Sequence, residues 1–281
     1  MIRNRTYYST FVVGLTLVFL ISSSFTNGHS RAVASDVDLP DIKISRNSVK
    51  PKSQRDAIVI LSGMGDNRKR RKIQKKFFCE SYDQDVFIPA YTDRSSYANT
   101  VANFHDFMEK EEIDSFRSVH FFCYILGSWI LNEYLTEHEI PNMVSVVYDR
   151  SPIQERAPDV VMQEIPLIAQ MAKGRILKDM VGMRYSPVEL QNCKVGIITE
   201  NKATKLMRHF KDETLGMGAL DWDHPETGQH HNDMMYVFLN HDEMYERFDV
   251  FGASLLYFME NGKFPEDSRR HPFKKDPFRK E

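Results

Sequence analysis

Cysteine is scarce: Cys79, Cys123 and Cys193 are the only three in 281 residues. That number and their spacing exclude a disulfide framework and a zinc-finger ligand set. Cys123 and Cys193 fall in or beside predicted strands and are expected as buried small hydrophobes. Net charge is almost absent, at −2, so bulk electrostatics select no class of partner. No RNA-binding aromatic motif accompanies the basic runs, and no nucleic-acid partner is expected. Internal repeats, low-complexity tracts and a compact HExxH zinc motif are missing as well. Long apolar runs are nearly missing too: "FVVGLTLVFLI" at 11–21 falls short of the roughly 20 residues that a membrane span needs.

That run has a positive flank (Arg3, Arg5) and is followed by the small-residue triplet "AVA" at 32–34. The combination predicts an export signal over residues 1–34 and a secreted or envelope (periplasmic) protein. The alternative is an uncleaved N-terminal anchor, which would be the only membrane contact. No cysteine follows the run closely, so a bacterial lipid anchor is not indicated.

With 42% hydrophobic and 27% charged residues, the chain can close one sizeable core. Residues 35–55 are polar and aperiodic and read as a linker or arm. From Asp56 onward strand and helix signals alternate. The strands are "AIVIL" (57–61), "DVFIPA" (85–90), "SVHFFCY" (118–124), "MVSVVYD" (143–149), "KVGIIT" (194–199) and "MYVFLN" (235–240). Helical stretches at 71–82, 96–113 and 129–138 lie between the first four, and a closing helix over 241–264 stops at Gly262. Apolar runs of this kind suit strands buried on both faces. The expected architecture is a three-layer α/β domain over 56–264, with a mainly parallel sheet of about six strands and helices on both faces. Its cleft would lie beyond the carboxyl ends of the strands. Residues 159–190, rich in Met and Ile and broken by Pro166 and Pro187, are expected as a cap or as core packing. Either suits an apolar or acyl-bearing small-molecule ligand. A basic tail occupies 265–281, and "RKRRK" (68–72) is either an anion-attracting rim of the cleft or a solvated helix face.

In this order, the loops resemble those of the α/β-hydrolase superfamily, particularly its lipase- and esterase-like members. "LSGMGD" after the first strand resembles the oxyanion loop, "CYILGS" the nucleophile elbow, and "DRSPIQ" a proline-containing loop. "DWDH" falls where an acid-bearing loop is expected, and "LNHDEMY" looks like the strand-end histidine. The resemblance implies that His241 is the general base, that Asp221 or Asp223 orients it, and that the backbone N–H groups of Met64 and Leu126 face an oxyanion. Cys123 and Gly127 supply the small flanks of the elbow. The elbow position itself is Ile125, a hydrocarbon that no base can activate, so the fold is expected to be degenerate at its nucleophile. Ser128, the nearest hydroxyl, is the alternative. The remaining alternatives are a non-catalytic ligand- or partner-binding module on the same fold and a metal-dependent hydrolase. For the last, the histidine-rich loop offers His224, His230, His231 and Asp233 as ligands for a divalent ion. Otherwise no cofactor is expected.

Overall fold

The computed structural model describes residues 39–46, 48–223 and 227–280. The predicted export signal and His224 lie outside them. Among the described residues one sheet holds β1 (Ile42–Ile44), β2 (Asp56–Leu61), β3 (Asp85–Ile88), β4 (Ser118–Cys123), β5 (Met143–Arg150), β6 (Lys194–Glu200) and β7 (Asp233–Val237). Their spatial order is β1-β3-β2-β4-β5-β6-β7. β1 pairs antiparallel with β3, and every other pair is parallel. The helices are α1 (Arg68–Ser81), α2 (Tyr97–Lys110), α3 (Ile125–Glu137), α4 (Ala157–Glu164), α5 (Pro166–Lys173), α6 (Ile176–Asp179), α7 (Lys205–His209), α8 (Lys211–Gly216), α9 (His241–Met244) and α10 (Phe248–Asn261).

The period-2 side-chain alternation of a strand explains the layering. In β2, Ile58 and Ile60 point to a core shared with Phe78 of α1 and Phe251, Leu255 and Phe258 of α10. Ala57, Val59 and Leu61 point the other way, into a core with Phe104 and Phe107 of α2 and Ile130 and Leu131 of α3. All five strand residues are fully buried, which is why the run is uninterrupted in the sequence.

Two expectations change, and the tail takes a definite place. The stretch 35–55 is more than an arm, because β1 lies within it and makes a seventh strand. Ile42 and Ile44 pair with Ile88 and Val86, too few residues to show a period. The closing helix is divided into α9 and α10, since a capping box at Asn240 and Glu243 closes a separate short turn at His241. The tail from 265 packs along the sheet margin: Tyr236 N–H donates to Arg269 O at 3.0 Å and Ala203 N–H to Pro277 O at 2.9 Å. Phe278 is buried there, and the exposed edge of β7 is covered.

The basic run at 68–72 is neither a free rim nor a wholly solvated face. Arg71 is buried, pairs with Asp66 at 2.6 Å and donates to the carbonyls of Pro40, Ile88 and Pro89. Arg71→Met should therefore leave a carboxylate and three carbonyls without their donor, a loss of about 3 kcal/mol. Urea unfolding measures it, and a change under about 0.5 kcal/mol, the usual range of a surface substitution, would refute the structural role.

Candidate active site

The carboxyl ends of β2, β4, β5, β6 and β7 converge on one pocket. β4 runs into α3 through Tyr124. Gly127 is obligatory at this turn, because a Cβ there would sit 2.3 Å from Leu61 O and 2.6 Å from Leu61 Cβ. The helix thus presses on the neighbouring strand, as the elbow pattern requires. Ile125 is the first residue of α3, is 5% exposed and lines the pocket. Outside glycine, only Glu112 and Asn192 among the described residues have positive φ. Ile125 therefore starts an ordinary helix, without the backbone strain that presents a nucleophile. Ser128 is fully buried one turn into α3, and its hydroxyl lies 3.2 Å from Tyr124 O and 3.3 Å from Cys123 O. It caps backbone rather than facing the pocket. Burial pushes the Cys123 thiol pKa well up, so that sulfur is a core atom.

The loop over 62–66 is held from several sides. Gly63 N–H donates to Tyr245 Oη at 2.9 Å, Arg70 Nη1 to Gly65 O at 2.6 Å, and Lys173 Nζ of α5 to Met64 O at 2.9 Å. Met64 and Leu126 line the pocket together. α3 begins with no side-chain cap, so the first-turn N–H groups of Ile125 and Leu126 lack acceptors within the helix.

His241 sits at the start of α9, separated from the end of β7 by three residues. Its Nδ1 is 2.7 Å from Glu200 Oε1 and 3.6 Å from Asp149 Oδ2. Asp149 lies near the end of β5 and Glu200 ends β6; both are fully buried. The orienting acids are therefore these two, a correction to the expectation of Asp221 or Asp223. Those aspartates lie exposed in their own turn, where Asp223 N–H donates to Asp221 at 3.1 Å and Tyr236 Oη lies 3.3 Å from Asp223. The signal for the real pair was a charged residue closing each apolar run, "YD" at 148–149 and "TE" at 199–200.

Two buried carboxylates side by side cannot both ionise cheaply. Burial pushes both pKa values up, and the negative charge of Asp149 raises Glu200 further. Asp149 Oδ1 and Oδ2 and Glu200 Oε2 are buried without any other donor, an arrangement suited to one proton shared between the acids. Although burial opposes charge on His241, Glu200 and Asp149 overcome it and raise its pKa to about 10. Both acids therefore favour the protonated ring. Nδ1–H is committed to the acids, and the Nε2 edge is left to the pocket.

The pocket has a volume of about 160 Å³. Its walls are Ile125, Leu126, Trp129, Val161, Leu177, Met180 and Leu206, with His241, Arg70 and Lys173 as its cationic members. Residues of α4, α5 and α6 close one side of it.

The described members of the predicted metal set do not converge. His230 is exposed, its ring centroid is 6.4 Å from that of His231, and Asp233 is bound to Arg270 and Phe264 N–H at the opposite end of β7 from His241. Among the described residues, the one group able to gather three ligand atoms around an ion is Asp149, Glu200 and His241, whose atoms lie within 4.8 Å of one another. The 2.7 Å contact between His241 and Glu200 is the geometry of a shared hydrogen rather than of an intervening cation.

This strand order, the tight turn after β4 and a histidine after β7 bonded to the acid ending β6 define an α/β-hydrolase fold. No protein-family model matches the chain, and no curated protein matches it either. Among solved structures it is similar to an esterase from Pyrococcus furiosus, at 9% identity and TM-score 0.48 over 84% of this chain and 95% of that one. An α/β-hydrolase fold protein from Chitinophaga pinensis gives 9% identity and TM-score 0.48 over 79% and 93%. Mouse α/β hydrolase domain-containing protein 10 gives 10% and 0.46 over 83% and 98%. At these scores the fold assignment stands on the topology.

Proposed function

We propose that this hydrolase fold no longer transfers acyl groups and uses its pocket to bind an apolar small molecule, outside the cytoplasm if residues 1–34 act as an export signal. The observation that carries this reading is Ile125: an aliphatic side chain stands where the turn meets the histidine's pocket. Among the described residues lining that pocket the sole hydroxyl is that of Thr204. It accepts from Met207 N–H as the cap of α7 and lies 3.1 Å from Gln154 Oε1. No thiol lines the pocket. Nucleophilic catalysis needs an oxygen or sulfur next to a base that can take its proton, and the one hydroxyl on this lining is already engaged as a helix cap.

Incubation with p-nitrophenyl butyrate tests the proposal. The ester should raise the melting temperature in a saturable way and be recovered intact. Ester turnover that disappears in His241→Ala would defeat the proposal. Ile125→Ser should add no measurable turnover at pH 7, since the new hydroxyl meets a protonated ring. A gain of a hundredfold or more over wild type would show that His241 is available as a base.

A further inference from the structure

Which apolar molecule the pocket takes is decided at its polar end. Both acids lining the pocket are already matched: Asp242 pairs with Arg70 at 2.7 Å, and Glu155 with Arg150 at 2.6 Å. The Nε2 edge of His241 and the first-turn N–H groups of α3 remain as donors, and Lys173 adds positive charge at the same wall. The positive end of the α3 dipole acts in the same sense. The neutral side-chain acceptors on the lining, Thr204 Oγ1 and Gln154 Oε1, are hydrogen-bonded to each other at 3.1 Å. A cavity of about 150 Å³ holds a benzene-sized molecule, so about 160 Å³ encloses one ring or about the first five carbons of a chain, and a longer tail extends through the open mouth of the pocket.

Resting on the binding role proposed above, we infer that the ligand is a short apolar monocarboxylate. Its carboxylate would sit against His241 Nε2 and the N-terminus of α3, and its tail among Trp129, Val161, Leu177 and Met180. The raised pKa of His241 supports this placement, because an ionised ring donates to an anion without competing for its proton. The ester carbonyl of a hydrolase substrate would gain less from the same groups, being uncharged.

Calorimetric titration of the full chain at pH 7 with octanoate, 1-octanol and methyl octanoate tests the inference. Octanoate should bind at least tenfold more tightly than either neutral analogue. If all three bind equally, the anionic class is wrong while the apolar pocket stands. If none binds, the binding role itself falls with it. Leu177→Trp, which fills the cavity, should weaken octanoate at least tenfold; an unchanged affinity would place the ligand elsewhere and overturn the inference. A folded His241→Gln should bring octanoate within threefold of octanol, and a persisting tenfold gap would also overturn it. Should that variant not fold, the three-ligand comparison and Leu177→Trp still decide.

Discussion

His241→Ala should destabilise the protein by about 3–5 kcal/mol at pH 7, the usual cost of removing one member of a buried charge group. The alanine removes the cation that faces Glu200 at 2.7 Å and Asp149 at 3.6 Å, both fully buried. What remains is a pair of carboxyls sharing one proton and carrying an unbalanced negative charge. Their pKa values are already raised by burial, so acid should relieve the variant by neutralising them. Urea denaturation of wild type and variant at pH 5 and pH 7 measures this. The expected deficit is several-fold larger at pH 7. A small loss, equal at both pH values, would mean that the acids do not depend on His241 for their charge balance.

The second large effect is alkaline destabilisation of the wild type. The folded pKa of His241, about 10, exceeds an unfolded value of about 6.5. The folded state therefore holds a proton that the unfolded state has released. The resulting stabilisation is fully present below about pH 6.5 and is lost as pH rises toward 10, by at most about 1.4 kcal/mol per unit. The raised acids act in the same direction. His120 opposes them: burial lowers its pKa to about 4, so its folding contribution improves as pH rises to about 6.5 and is flat beyond. Between about pH 4 and 6.5 His120 and the raised acids therefore oppose each other, and above about 6.5 the decline is unopposed. Buried Cys123 and Cys193, with raised pKa values, add their own decline only as pH approaches their ordinary range of about 8.5. The informative window is pH 6.5–8, where ΔG of unfolding should fall steadily. Rising stability across that window would show that His241 is neutral in the folded protein.

Much of this architecture is legible in the residues, for identifiable reasons. A parallel strand covered on both faces must be apolar throughout, so "AIVIL" and "KVGIIT" announce themselves without an alternating pattern. His241 is legible because it follows the last strand, and Gly127 because only a residue without a side chain fits against Leu61 O. β1 is too short to carry a period. Asp149 and Glu200 escape for another reason: their partnership depends on β5, β6 and β7 lying side by side, with Asp149 opposite Ile198 and Glu200 opposite Val237. The order of loops in the resemblance, with "DWDH" at the acid-bearing place, favoured Asp221 and Asp223 instead. His230 and His231, neighbours in the sequence, likewise sit at the far end of the strand that leads to His241.

The measurement that reaches the central claim most directly is labelling of the purified, full-length protein with a fluorophosphonate probe, which reacts covalently with activated serine hydroxyls. The pocket as built, with Ile125 at the head of α3 and Ser128 hydrogen-bonded to backbone, should give no label at pH 7 or pH 8. A stoichiometric adduct, mapped by mass spectrometry to a serine whose labelling requires His241, would contradict it.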